Sequence, residues 1–264
     1  MKILDGLTRA IYHRVDINSA TSPAAPSERI TMSKIYVFGN SKGGVGKSTL
    51  AVQAAIGLSL PAYPGAPASS VWFVDGDEQS SGLDAITMRA QRGEGHIDAA
   101  CYHKADVLRT QVRRQSARYD FTIIDVGGND NGALRAALTL ADALIVPFKP
   151  RGFDTWALAK FDALMLDVLG VRDDLDVYAL LNEADSSGGD NEEAIASVAE
   201  FPYMKPLQLM IGDRKVIPTA STTGRYVAEL ATSKASVQSA INEINTLVSM
   251  LRTGEFDVRP VEAA

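Results

Sequence analysis

From residue 34 onward, short unbroken apolar runs alternate with longer stretches of helical composition. Ile35–Phe38, Val71–Val74, Phe121–Ile124, Leu144–Val146 and Val177–Leu181 are too short for helices. They also lack the alternating polar positions of a strand with one wet face. Runs of this kind suit strands covered on both faces of a parallel sheet. Leu207–Ile211 is a weaker strand candidate. Predicted helices occupy Lys47–Leu60, Gly82–Arg92, Ala105–Ala117, Ala133–Leu140, Thr155–Leu169, Glu192–Ala199, Gly224–Leu230 and Ala235–Leu251. The alternation predicts an α/β fold of three layers, a mostly parallel twisted sheet flanked by helices. In the last helix Val237, Ile241, Ile244, Val248 and Leu251 share one stripe, while Gln, Ser, Asn and Glu fill the other face. Without a basic polar face, that stripe is expected to pack on the core rather than on a membrane.

The same pattern sets boundaries. Residues 1–33 include Ala20-Thr21-Ser22-Pro23-Ala24-Ala25-Pro26-Ser27, a small-residue linker unable to build a core. They are expected to be an extension, with the functional chain starting at Met32 or with Ile3, Leu7 and Ile11 forming a short docking helix. Residues 34–252 are expected to form one domain and residues 253–264 a tail. At 264 residues and 46% hydrophobic, the chain can bury a core of that size. A net charge of −6 excludes a global attraction to nucleic acid, so any such contact needs a local basic patch. The one cysteine, Cys101, excludes an internal disulfide and fits a reducing cytoplasm. No apolar stretch reaches the roughly 20 residues that span a bilayer. Met1–Arg14, interrupted by Asp5, is not expected to act as a secretion signal.

Chemistry concentrates in Ser41-Lys42-Gly43-Gly44-Val45-Gly46-Lys47-Ser48-Thr49. Glycines let backbone N–H groups turn inward around a polyphosphate, Lys47 reaches its β/γ-phosphates and the Ser48 hydroxyl suits Mg²⁺. The preceding apolar run and following helix supply the strand–loop–helix setting such a loop requires. Two further strands end in acids. Val74-Asp75-Gly76-Asp77-Glu78-Gln79 closes the second, where both carboxylates can face the phosphates. Phe121-Thr122-Ile123-Ile124-Asp125 closes the third, placing Asp125 to hold Mg²⁺ directly or through water. Gly127-Gly128-Asn129-Asp130-Asn131 follows as either a γ-phosphate-sensing switch or an ordinary turn-rich loop. Asp154 is a predicted helix N-cap.

The loop departs from the strict phosphate-binding pattern at Ser41, where glycine is usual, and carries an extra lysine at Lys42. Lys-Gly-Gly-x-Gly-Lys-[Ser/Thr] is the deviant Walker A form, and the chain resembles the ParA/MinD family of P-loop ATPases. Asp75 to Gln79 is similar to the family's Asp-x-Asp-Pro-Gln, with Glu78 where proline is usual. Ala141 to Pro150 resembles its fourth core strand, and Arg214 with Gly224, Val227 and Glu229 its C-terminal block. The resemblance spans about residues 34–232. It implies a P-loop NTPase fold and ATP with Mg²⁺ as cofactors, held by Lys42, Gly43, Gly44, Val45, Gly46, Lys47, Ser48 and Thr49. Asn182 would contact the adenine, Ser48, Asp125 and Asp75 would lie around the metal, and Asp77 would activate the attacking water.

By the same resemblance, Lys42 reaches across an ATP-bridged homodimer to the partner's nucleotide. The implied protein is a slow, partner-stimulated ATPase of the short ParA type, cytoplasmic and nucleoid-associated, without an N-terminal helix-turn-helix. Its ATP dimer would bind DNA non-specifically through Lys149, Arg151, Arg214, Lys215, Arg225 or Lys234, and would answer to a ParB-like or cargo adaptor; no membrane is expected. It would move plasmid or chromosomal DNA. The alternatives are a MinD-like or other positioning ATPase for a protein cargo and, in another class, an ATP-dependent synthetase, which does not characteristically carry Lys42. Nitrogenase-type iron proteins share the loop but need two cysteines per subunit, which Cys101 alone excludes.

Overall fold

The structure, a computed structural model, describes residues 33–127, 131–150, 155–172, 174–187 and 189–256. Its strands are β1 (Lys34–Phe38), β2 (Val71–Asp75), β3 (Asp98–Cys101), β4 (Phe121–Asp125), β5 (Ala143–Phe148), β6 (Asp176–Ala184) and β7 (Lys205–Gly212). Its helices are α1 (Lys47–Ser59), α2 (Ser81–Gln91), α3 (Ala105–Gln115), α4 (Asn131–Leu138), α5 (Thr155–Leu169), α6 (Asp190–Ser197), α7 (Val216–Thr222) and α8 (Ala235–Thr253). The strands form one sheet in the order β3-β2-β4-β1-β5-β6-β7, and every adjacent pair is parallel.

Alternation persists inside the uniformly apolar strands, because both faces are covered. On β1, Tyr36 and Phe38 join the core beneath α1, α2, α7 and α8. Val37 and the partly buried Ile35 join the core beneath α3, α4, α5 and α6. Helix α1 is buried on all sides from Leu50 to Leu58, as a helix between sheet and outer helices must be. The stripe on α8 is buried on the same side of the sheet. From β1 the chain turns toward β2, and from β4 it crosses to β5 on the other side of β1. That reversal opens a crevice at the carboxyl ends of β1 and β4, where ligands of such sheets bind.

Three expectations need correction. Strand β3 was not predicted: it is four residues at the sheet edge, two of them alanine, too little apolar surface to register. The helix predicted over Gly224–Leu230 is instead α7, which starts eight residues earlier at Val216, followed by a single 3-10 turn at Val227–Leu230. Pro218 sits in the first turn of α7, where its missing N–H costs nothing. The domain also runs past residue 252, since Phe256 is buried and stacks on Tyr178 at 4.2 Å between ring centroids. Residues 1–32, the 128–130 part of the glycine-rich segment, Arg151 and Asp154 lie outside the described residues. Among those described, no helix is long and apolar enough to cross a membrane.

Candidate phosphate-binding site

The loop between β1 and α1 lies over the crevice. Its first residues are tied to β5: Gly39 N–H donates to the Ile145 carbonyl at 3.1 Å, and Asn40 Nδ2 to that of Pro147 at 2.8 Å. Asn40 Oδ1 then accepts from Lys42 N–H at 3.0 Å, a side-chain-closed turn that starts the loop. Gly46 ends it in the left-handed region at φ 93°, and α1 begins with neither a side-chain cap nor an acidic residue in its first turn. Its leading N–H groups and dipole therefore face the crevice uncompensated, which is a ready anion site.

The crevice holds a cavity of about 680 Å³ lined by Gly43, Gly44, Gly46, Lys47, Ser48, Thr49, Asp77, Glu78, Gln79, Ser81 and Gly127. That volume is within the range of small-molecule sites. Lys47 is 7% exposed and donates to the Lys42 carbonyl at 2.9 Å. Burial holds its pKa below the usual lysine range, with Asp125 and Asp77 opposing the shift. Lys47 lines the cavity and Lys42 does not.

Asp125 is 1% exposed, and neither carboxylate oxygen has a hydrogen-bond partner of ordinary geometry. Burial pushes its pKa up to about 7; Asp75 adds to the rise, while nearby Ser48 and Lys47 oppose it. An orphaned buried acid costs free energy unless a cation joins it. With Ser48 beside it, the donor set fits a hard divalent ion whose remaining ligands come from phosphate and water. Among the described residues there is no cluster of three His, Cys, Asp or Glu that could hold a metal ion.

The second acidic pair divides its labour. Asp77 lines the cavity, and its Oδ1 accepts from Gln79 N–H at 3.0 Å. Asp75, which lies near Asp125, has its carboxylate bonded to backbone: Oδ1 accepts from Asp77 N–H at 3.0 Å and Oδ2 from Leu83 N–H at 2.9 Å. It is fully buried and does not line the cavity, so its observed work is to hold the Asp77 loop. Asn182 is also buried, and its Nδ2 donates to the Val45 carbonyl at 2.9 Å, bracing the phosphate-binding loop from β6.

Of the basic residues proposed for DNA, Lys149 pairs with Glu183, Arg214 with Glu243 at 2.6 Å and Arg225 lies 4.0 Å from Glu94. Lys215 and Lys234 are exposed. Sequence reasoning missed Asn40, whose turn-forming position before Ser41 was the available signal, and the cavity wall residues Gln79 and Ser81.

Gly46 is the position where this site tolerates least change. A Cβ there would come within 2.2 Å of Asn182 Nδ2, at a φ that other residues rarely adopt. Gly46→Ala is expected to lower stability by roughly 2–4 kcal/mol, from backbone strain plus the displaced bond to Val45. A thermal melt checks this; an unchanged midpoint would contradict the close approach.

A parallel α/β sheet with a glycine-rich, lysine-bearing loop between its first strand and first helix, and an acid closing the neighbouring strand, defines a P-loop nucleotide-binding protein. Comparison with known proteins narrows this. Residues 82–182 match the family model described as ATPase MipZ. The maintenance of carboxysome distribution protein A of Gloeobacter kilaueensis is 30% identical over 122 residues, 46% of this chain and 51% of that protein. The match thus spans about half the length of that curated relative. Among solved structures, an aspartate-to-alanine form of McdA from Cyanothece bound to ATP aligns with TM-score 0.64 and 17% identity, covering 88% of this chain and 99% of that one. Cobyrinic acid a,c-diamide synthase from Mycobacterium smegmatis with bound ADP and magnesium aligns with TM-score 0.62 and 18% identity, covering 87% and 100%. At such identities the structural likeness shows the fold. Taken with the loop, the family-model match over residues 82–182 supports a P-loop ATPase similar to the ParA/MinD family.

Proposed function

We propose that the protein is an ATP- and Mg²⁺-dependent positioning ATPase that dimerises on binding ATP, associates with DNA without sequence preference in that state, and distributes a cargo. The reading is carried by the division of labour between the two loop lysines. Lys47 is buried on the cavity wall, while Lys42 does not line the cavity and its carbonyl accepts from Lys47. One lysine suffices for phosphate held within a subunit; a second, not lining the cavity, is useful to a nucleotide in a facing subunit. There it would offset charge developing on the transferring phosphoryl group. Asp125 and Ser48 would hold Mg²⁺, which polarises and neutralises the phosphates when bound, and Asp77 would orient the attacking water.

The cargo is proposed to be plasmid or chromosomal DNA, recruited through a ParB-like adaptor that stimulates slow hydrolysis. The carboxysome-distribution relative favours a protein cargo as the second reading. A synthetase is disfavoured by Lys42, although a synthase shares the fold. The burial of the α8 stripe in the core weighs against the MinD-like membrane reading.

The test is DNA co-sedimentation with and without ATP and Mg²⁺. Binding is expected only with ATP and should fall at least about tenfold between 50 and 200 mM salt, because exposed lysines such as Lys215 and Lys234 release counterions from phosphate. Equal binding without nucleotide, or none with it, would overturn the DNA-associated reading. ATPase stimulation by a small carboxylic acid instead would favour the synthetase class.

A further inference from the structure

We infer that Arg89 and Glu229 are positioning residues for Asp77, setting its place over the cavity by fixing α2 at the end remote from the site. The inference rests on the hydrolytic reading of Asp77 proposed above. Asp77 lies on the short loop that enters α2, whose near end is held by the Asp75 carboxylate. The loop's last residue, Ser80, is left-handed at φ 51°, a conformation that a non-glycine residue keeps only when its surroundings impose it.

What holds α2 down is mostly polar. Its buried residues are Gly82, Ala85, Ile86 and Arg89, which supply little apolar area. Arg89 is 3% exposed, and its guanidinium donates to both oxygens of Glu229, at 2.9 and 3.1 Å. Arg89 also reaches the Gly224 carbonyl at 3.4 Å, and Arg92 donates to the same carbonyl at 2.9 Å. Gly224 meets the helix backbone directly: a Cβ there would fall 2.1 Å from the Ala85 carbonyl oxygen. The rotation and height of α2 are therefore set by the segment from Ser221 to Glu229.

The same segment registers the phosphate-binding helix. Gln53 of α1 is fully buried, donating to Ser221 Oγ at 3.1 Å and the Arg225 carbonyl at 2.8 Å, and accepting from Val227 N–H at 2.8 Å. Ser221 Oγ donates to the Thr49 carbonyl at 3.0 Å. Two helices that carry the two halves of the chemistry, Lys47 on α1 and Asp77 before α2, are thus referenced to one polar block. Nothing in this block lines the cavity, so its changes act on the site through helix placement.

Glu229→Gln and Arg89→Lys test this in the full chain. Both variants keep Glu94 as a second carboxylate near residue 89, 3.7 Å from the arginine, which favours folding. Three quantities are read: affinity for a fluorescent ATP analogue, ATP turnover, and amide exchange at residues 76–83 against residues 42–49. For Glu229→Gln, affinity should stay within threefold, turnover should fall at least tenfold, and exchange should quicken at 76–83 while 42–49 stays unchanged. Arg89→Lys, which keeps the charge but not the bidentate fork, should show the same signature more weakly. Unchanged exchange at 76–83, or affinity and turnover falling in proportion, would overturn the inference. An unmutated protein that turns over no ATP would refute the hydrolytic reading instead, and the exchange result would still decide whether this block places the Asp77 loop.

Discussion

Lys42→Ala is expected to abolish ATP-dependent dimerisation and to cut ATP turnover by roughly 10²–10³, the scale seen when one charged or hydrogen-bonding stabiliser of a transition state is removed. Affinity of the monomer for ATP should change only a few-fold. The structure gives the reason for expecting that split. Within one subunit, residue 42 serves the phosphate-binding loop through its backbone: its N–H donates to Asn40 and its carbonyl accepts from Lys47. Alanine preserves both bonds, so the loop keeps its shape and Lys47 its place. What alanine removes is a side chain that does not line the subunit's own cavity, which is why the expected loss is assigned to a nucleotide in a facing subunit. Size-exclusion chromatography with light scattering, with and without ATP, reads the first half and a monomer binding titration the second. A variant that dimerises normally with ATP would refute the trans role, and one that no longer binds ATP as a monomer would return Lys42 to the loop.

Much of this was legible in the chain, for identifiable physical reasons. β1, β2, β4 and β5 are buried on both faces, and a strand with no wet face can be apolar at every position, so each reads as an unbroken run. The phosphate-binding loop was legible because its chemistry is local: backbone N–H groups, two lysines and a hydroxyl within nine residues. β3 was not, because an edge strand of four residues gains its place from pairing with β2 rather than from its own composition. Gly224 misled in the opposite direction. It reads as the start of a helix but is the left-handed residue that ends α7, and its reason for being glycine is the carbonyl of Ala85, more than a hundred residues away. Asp75 and Asn182 illustrate the same limit inside the site. Their residue types were visible, whereas their hydrogen bonds to Leu83 and Val45 depend on neighbours that only the fold supplies.

Asp77→Ala is expected to behave in the reverse sense to Lys42→Ala, binding ATP and accumulating as the dimer while turnover falls by about 10²-fold or more, a loss typical of a general base or water-orienting group. The fold should survive the change. Asp77 keeps its backbone bond to Asp75, and the side chain gives up one bond of its own, to Gln79 N–H, a contribution of about 0.5–1.5 kcal/mol. Binding should survive as well, because the groups proposed to meet phosphate are Lys47, the N–H groups of α1 and an ion that Asp125 and Ser48 would hold, none of which the substitution touches. Removing one carboxylate from a cavity that must take in a polyphosphate also relieves repulsion, so affinity should hold or rise. The dimer then persists because the step that ends it is missing. Light scattering with ATP and Mg²⁺, read beside a phosphate-release assay, separates these effects. A monomeric variant under those conditions would make Asp77 a binding residue, and the turnover role would pass to Glu78, the other acid on the cavity wall.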